Sequence, residues 1–80
     1  MANKYVPQVG DRAVHLLLGS TYECIVTKVL SPTRVLVRQC NAETRVPIGP
    51  EDEVSFRKNG FWIEKGATLQ TGGRFSISRY

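Results

Sequence analysis

Turn-forming residues divide the chain into short segments, and this spacing is the feature that most constrains the fold. Turns are predicted at Gly10–Asp11, Gly19–Ser20, Ser31–Thr33, Asn59–Gly60 and Gly72–Gly73. Between them lie runs of β-branched, aromatic and other apolar residues, which favour strands. No segment has the apolar periodicity of a long amphipathic helix. The sequence therefore predicts an all-β domain of five or six short antiparallel strands.

Alternation of apolar and polar residues locates these strands. They are predicted at residues 12–18, 22–30, 34–39, 54–58, 61–65 and 74–80. Val35 and Val37 should lie on one side of the third strand, with Arg34, Leu36 and Arg38 on the other. Residues 41–53 contain two prolines and a local acidic run. They are predicted to form a long irregular loop, with at most a short extended piece at 45–48.

The length fits a small, strongly bent barrel. A chain of 80 residues holds one small core and is too short for a two-sheet sandwich of immunoglobulin size. Residues 10–80 are predicted to form the barrel, and residues 1–9 a flexible N-terminal arm. The predicted core is Val14, Leu16, Leu18, Cys24, Val26, Val29, Val35, Val37, Val54, Phe56, Phe61, Ile63, Phe75 and Ile77.

Asn59–Gly60 separates two alternating runs and predicts a two-residue hairpin turn, in which both residues need a positive φ. The turn length sets a register, with Lys58 opposite Phe61, Arg57 opposite Trp62 and Phe56 opposite Ile63. This register places Trp62 on the outer face, among Ser55, Arg57 and Glu64. The single tryptophan would then lie among polar and charged neighbours.

Two interpretations of Trp62 follow from this placement. Its ring could be a contact surface for a partner, or another part of the chain could cover it. Tyr5 and Val6 of the arm are candidates for such a cover, and so are Val46 and Ile48 of the 41–53 segment.

The first half of the chain resembles a known barrel type. Residues 9–39, VGDRAVHLLLGSTYECIVTKVLSPTRVLVRQ, combine a Gly-Asp turn, a strand of the form xYxAxVxxV and a short xVxV strand. The positions that carry this likeness are Gly10, Asp11, Tyr22, Cys24, Val26, Val29, Val35 and Val37. The pattern resembles the opening of SH3-like barrels of the Tudor/KOW type, with a cysteine replacing the usual small residue at position 24. The resemblance implies an SH3-like barrel.

The second half resembles a different group. Residues 54–75, VSFRKNGFWIEKGATLQTGGRF, are similar to the end of small uncharacterised phage-encoded proteins. Those proteins end in FTLRKNGxWxxKG, followed by a glycine-containing turn and a final strand. The resemblance implies a phage or prophage origin and carries no activity with it.

The sequence offers little for catalysis or for a cofactor. The one histidine, His15, lies within an apolar strand and has no recognisable catalytic partner. Gly72–Gly73 precedes a strand, so no helix N-terminus is available there to bind phosphate. Side chains of Glu51–Glu53 alternate along an extended chain and cannot converge on one metal ion. We therefore expect no enzyme activity, no cofactor and no metal.

Composition suggests a protein of a reducing compartment. Cys24 and Cys40 have neither a CxxC partner nor a nearby histidine, so free thiols are predicted, with a Cys24–Cys40 disulfide as the alternative. No apolar run approaches the ~20 residues of a membrane span, and the N-terminus has no signal-peptide core. A cytoplasmic location, in a bacterial host cell, is expected.

Binding is the function that the outward positions favour. The candidate partner-binding residues are Arg34, Arg38, Arg57, Lys58, Trp62 and Arg74. Arginine beside an aromatic ring is typical of protein–protein hot spots and also of single-strand nucleic-acid platforms. The simpler interpretation of Arg34 and Arg38 is a solvated strand face.

Three functions remain open on this evidence. The first is an inhibitor or adaptor that binds a host protein complex. The second is direct binding of DNA or RNA through Arg34, Arg38, Arg57 and Trp62. A net charge of only +4 and the acidic run at 51–53 argue against the second, because nucleic-acid affinity requires several phosphate contacts. The third is a self-associating structural protein.

Overall fold

Six antiparallel strands close into a small barrel in the computed structural model, which describes residues 5–80. The strands are β1 (Arg12–Leu17), β2 (Ser20–Ser31), β3 (Arg34–Cys40), β4 (Pro47–Phe56), β5 (Trp62–Glu64) and β6 (Arg74–Ser78), with one helical turn, α1 (Leu69–Gly72). Each strand pairs with the next, and β6 returns to β1. The predicted all-β class is confirmed, and the architecture is consistent with an SH3-like barrel.

Inward-pointing side chains from all the longer strands fill the barrel. The core cluster is Ala13, Cys24, Val26, Val35, Val37, Val54, Trp62, Phe75 and Ile77. The predicted alternation of β3 is confirmed, since Val35 and Val37 are buried while Arg34 and Arg38 lie on the outer face. Each large buried side chain contributes about 1.5–3 kcal/mol. A core of this size is therefore sufficient for a small domain.

The predicted inner face of β1 is wrong by one residue. Ala13 pairs with the buried Cys24 and is fully buried, whereas Val14 and Leu16 are only partly buried, and Leu18 is 91 % exposed. His15 takes the next inward position, and its ring stacks on Phe75 at a centroid distance of 4.1 Å. A histidine is tolerated there because its Nε2 lies 2.7 Å from the Gly72 carbonyl oxygen.

The long loop predicted at 41–53 is also wrong in its second half. β4 begins at Pro47 and pairs with β3, so that Glu51 lies opposite Arg38 and Glu53 opposite Leu36. Within β4, only Val54–Phe56 pair with β5, so the first half of β4 is a sheet edge. Prolines are compatible with an edge strand, and this explains how a proline-containing segment joins the sheet.

Asp11 fastens the start of the described chain to the barrel. Its carboxylate accepts hydrogen bonds from the Tyr5 hydroxyl and from the Gln8 backbone N–H, the latter at 2.7 Å. Its own carbonyl accepts from the Val26 N–H at 3.0 Å. Pro7 is fully buried. Residues 1–4 of the predicted arm lie outside the described residues, and the flexibility of the arm and the boundary at residue 10 stay predictions.

Candidate partner-binding surface at the barrel seam

The segment between β4 and β5 contains a three-residue hairpin loop, Lys58–Gly60, closed by Arg57 and Phe61, and the predicted two-residue turn is wrong. The Arg57 N–H donates to the Phe61 carbonyl at 2.8 Å, and the Gly60 N–H donates to the Arg57 carbonyl at 2.9 Å. Gly60 has a φ of +89°, whereas Asn59 is not among the residues with positive φ. This is the three-residue hairpin loop that ends in a left-handed glycine.

The additional loop residue shifts the strand register by one. Trp62 pairs with Phe56 and Ile63 with Ser55, where the prediction had Arg57 and Phe56 respectively. A shift of one residue exchanges the two faces of a strand. Trp62 therefore points into the core, and its predicted position on the outer face is wrong.

Trp62 is buried, and Tyr5 of the N-terminal segment lines a small cavity beside it, whereas Val6 is 50 % exposed. The Trp62 side chain is 6 % exposed, its ring lies 5.4 Å from that of Phe56, and Tyr5 packs against the same cluster. Val46 and Ile48, the other predicted covers, are 55 % and 63 % exposed. The ring of Trp62 is thus not a free stacking surface.

The two candidate arginines of β3 have partners within the barrel. Arg34 Nε donates to Glu53 Oε2 at 2.9 Å, and Arg38 Nε donates to the Gly49 carbonyl at 2.6 Å. Hydrogen bonds from Arg34 hold the pKa of Glu53 below its usual value. Glu51 lies opposite Arg38 on the neighbouring strand. The positive charge of Arg34 is therefore balanced by a carboxylate of β4, whereas Arg38 bonds a backbone carbonyl and has no ion pair within residues 5–80.

The candidate residues around the β4–β5 loop differ in the hydrogen bonds and ion pairs that hold their side chains. Arg57 donates from Nε to Ser55 Oγ and from Nη2 to the Glu64 carbonyl, both at 3.0 Å, and so ties the loop to the strands. Lys58 is exposed at the loop tip. The Arg74 guanidinium lies 5.0 Å from the centre of the Phe61 ring. Within residues 5–80, neither Lys58 nor Arg74 has a carboxylate partner.

The barrel closes between β5 and β6 through a single residue pair, Trp62 with Phe75, and this junction is called the seam below. In contrast, β6 pairs with β1 at five positions, from Arg12 with Ser78 to Leu16 with Arg74. A groove of about 290 Å³, the seam groove, lies beside the junction. It is lined by Leu16, Phe56, Gly60, Phe61, Trp62, Arg74, Phe75, Ser76 and Ile77.

The seam groove combines predicted and unpredicted residues. Two of the predicted site residues, Arg74 and Trp62, line the groove. Two others, Arg57 and Lys58, lie in the adjoining loop. Arg34 and Arg38 are on another face. Leu16 was assigned to the core because the apolar run of β1 gives no clear alternation. Phe61 was assigned to the core through the incorrect hairpin register.

A second cavity, of about 200 Å³, opens at the end of the barrel that holds His15. It is lined by His15, Tyr22, Cys24, Gln39, Pro50, Asp52 and Phe75. Cys24 and Cys40 are both free and buried. Burial raises the pKa of the Cys24 thiol to about 11, so this thiol is protonated at neutral pH and is not a nucleophile there.

Two kinds of feature are absent from the described part of the chain. Residues 5–80 hold no group of three or more His, Cys, Asp or Glu side chains placed to bind a metal ion. They also contain no helix with the length and apolar character needed to cross a membrane. No protein-family model, no curated protein and no solved structure matches the chain.

Proposed function

We propose that this protein is a non-enzymatic binding module that contacts a partner protein through the seam groove and the adjoining 57–61 loop. The observation that carries the proposal is a groove with aromatic and aliphatic residues in its lining, bordered by Arg74, which has no carboxylate partner within residues 5–80. Aromatic side chains with an accessible arginine are the composition of protein–protein hot spots. A groove beside a short closing strand is also accessible from outside the barrel.

The charge arrangement favours a protein over a nucleic acid. Arg12, Arg34 and Arg38 form the most obvious basic surface, yet Arg12 bonds Glu23 and Arg34 bonds Glu53. Binding of phosphates there would require Arg12 and Arg34 to give up their carboxylate partners. Affinity for nucleic acid rests on several phosphate contacts. The overall charge of only +4 argues against tight binding of this kind.

The sequence resemblances favour a host protein as the partner. The likeness of residues 54–75 to phage-encoded proteins favours a protein complex of a bacterial host, bound in the host cytoplasm by an inhibitor or adaptor. The likeness of residues 9–39 to Tudor/KOW-type barrels favours binding over catalysis.

Affinity capture from bacterial lysate tests this proposal with a matched pair of variants. Arg74→Ala removes the charge at the groove, and Arg34→Ala removes an ion-paired arginine from the β3 face. We expect nuclease-treated lysate to yield a protein that wild type and Arg34→Ala retain and that Arg74→Ala loses. Circular dichroism of all three proteins verifies that they are folded.

The opposite pattern would overturn the proposal. Capture that disappears after nuclease treatment, and that depends on Arg34 and not on Arg74, would assign the protein to nucleic-acid binding through β3. Equal capture by both variants would show that the partner contacts neither surface.

A further inference from the structure

We propose that the partner enters the seam groove as an extended peptide strand that pairs with the free edge of β6 and carries an acidic residue toward Arg74. This inference rests on the proposed function of the same groove and specifies the form and charge of its ligand.

The edge of β6 that faces β5 extends past Phe75, the residue that pairs with β5. β6 runs from Arg74 to Ser78, and on the β5 side only Phe75 has a strand partner within residues 5–80. Antiparallel register would place Phe61 opposite Ser76 and Gly60 opposite Ile77 if β5 extended toward the loop. The structure ends β5 at Trp62 instead.

Hydrogen bonds of the β4–β5 loop explain why β5 stops there. The Phe61 carbonyl accepts from the Arg57 N–H at 2.8 Å, and the Phe61 N–H donates to Asn59 Oδ1 at 3.1 Å. The Gly60 N–H donates to the Arg57 carbonyl. These backbone groups are committed to the loop and do not pair with β6. Within residues 5–80, the edge at Ser76–Ser78 therefore has no strand partner on this side, so that a strand from another molecule can pair with it.

An extended peptide fits both the edge and the groove beside it. A free strand edge presents backbone donors and acceptors, and partner segments bind such edges by adding one more strand. The free edge of three residues is ~10 Å long, which suits a short peptide segment. Alternate side chains of an added strand face one side, and on the outer face of the barrel the partly buried Leu16 and Phe61 offer apolar contacts.

The positive charge beside the groove indicates that the peptide ligand carries acidic residues. Among residues 5–80, Arg74 is the only charged residue that lines the seam groove, and its guanidinium lies over the Phe61 ring. Lys58, at the tip of the adjoining loop, is exposed. No carboxylate within residues 5–80 pairs with either cation. A peptide that alternates apolar and acidic residues complements this surface.

Nuclear magnetic resonance titration with synthetic peptides tests the inference. The probe is an acetylated hexapeptide of alternating valine and aspartate, added to the ¹⁵N-labelled full chain. We expect amide shifts at Ser76–Ser78 and Phe61. The same peptide with N-methyl groups on alternate backbone amides should bind about tenfold more weakly, because one or two hydrogen bonds are lost. Arg74→Ala should weaken the unmodified peptide by about two- to fivefold, and Arg34→Ala should not.

The outcomes separate this inference from the proposed function. If the methylated and unmodified peptides bind equally, or if the peptide shifts only β3 or the end of the barrel near His15, strand addition is wrong. If no peptide binds while lysate capture still depends on Arg74, the groove binds a partner in another form, and only this inference fails. If the labelled chain is a dimer without peptide and its Ser76–Ser78 amides are already protected, the occupant is a second copy of the chain, and the peptide inference is also wrong.

Discussion

Two of the tight hairpin turns of the barrel differ in how well the residue type suits the backbone conformation. Leu18 and Gly19 join β1 to β2 with φ of +52° and +81°, the conformation that favours Asn-Gly. Asn59–Gly60 belongs to a three-residue loop, in which only the glycine has a positive φ. A leucine thus occupies the strained position, while the more suitable asparagine bonds the Phe61 N–H through its side chain.

The difference matters because each turn sets the register of the strands that follow it. The three-residue loop directs Trp62 inward and leaves Phe61 beside the groove. A two-residue turn at the same place would exchange these positions. The location of the seam groove therefore depends on a single loop residue.

The largest effect should come from the residue whose position the loop decides. Trp62→Ala should lower the free energy of unfolding by about 3–5 kcal/mol, because it empties the centre of the core. Urea denaturation followed by far-ultraviolet circular dichroism measures the change. Wild-type Trp62 should emit at short wavelength and resist quenching by iodide. A loss below about 1 kcal/mol in Trp62→Ala, together with wild-type emission typical of an exposed tryptophan, would support the predicted two-residue turn instead.

A smaller effect is expected from the residue that fastens the cover of Trp62. Asp11→Ala removes the acceptor of the Tyr5 hydroxyl and the Gln8 N–H, and it should cost about 1–3 kcal/mol. Iodide should then quench Trp62 more readily in the native protein. Unchanged quenching, whatever the loss of stability, would mean that Tyr5 covers Trp62 without the help of Asp11.

The glycine of the three-residue loop should show a pure backbone effect. Gly60→Ala places a side chain at a φ of +89°, although its Cβ would meet no atom within 4 Å. We expect a loss of about 1 kcal/mol in chemical denaturation. Lys58→Ala, at a neighbouring exposed loop position, is the control and should change stability little. Equal losses in the two variants would argue against the left-handed conformation of Gly60.

The last change should stabilise the protein. Leu18 is 91 % exposed and has a positive φ, so Leu18→Asn gives up little packing and relieves backbone strain. Stability should rise by about 1 kcal/mol, which corresponds to a melting temperature higher by about 4–8 °C for a domain of this size. A lower melting temperature would mean that Leu18 makes a stabilising contact in solution.

Local pattern was sufficient for some parts of the barrel and not for others. β3 alternates cleanly, and its inner and outer residues were predicted correctly. The inward position of His15 depends on the carbonyl of Gly72, which is distant in sequence and cannot be inferred from the local pattern. The acidic and proline-containing start of β4 is extended because β3 pairs with it, against its own local preference.

The candidate site was likewise predictable from local pattern only in part. Residue type and alternation indicated Arg74 and Trp62, but the predicted outward position of Trp62 is wrong. The groove between them depends on where β5 ends, and that end depends on hydrogen bonds of the loop. The ion pair of Arg34 and the hydrogen bond of Arg38 to Gly49 likewise depend on a strand that the sequence pattern did not predict.

A tube with an uninterrupted wall resists twisting far better than one with a slit along its length. The barrel has such a slit, because Trp62 and Phe75 form the only residue pair between β5 and β6 within residues 5–80. We expect torsional motion to concentrate there, while β1–β4, with their longer ladders, move as one curved plate. A ligand that bridges the slit would stiffen the whole molecule.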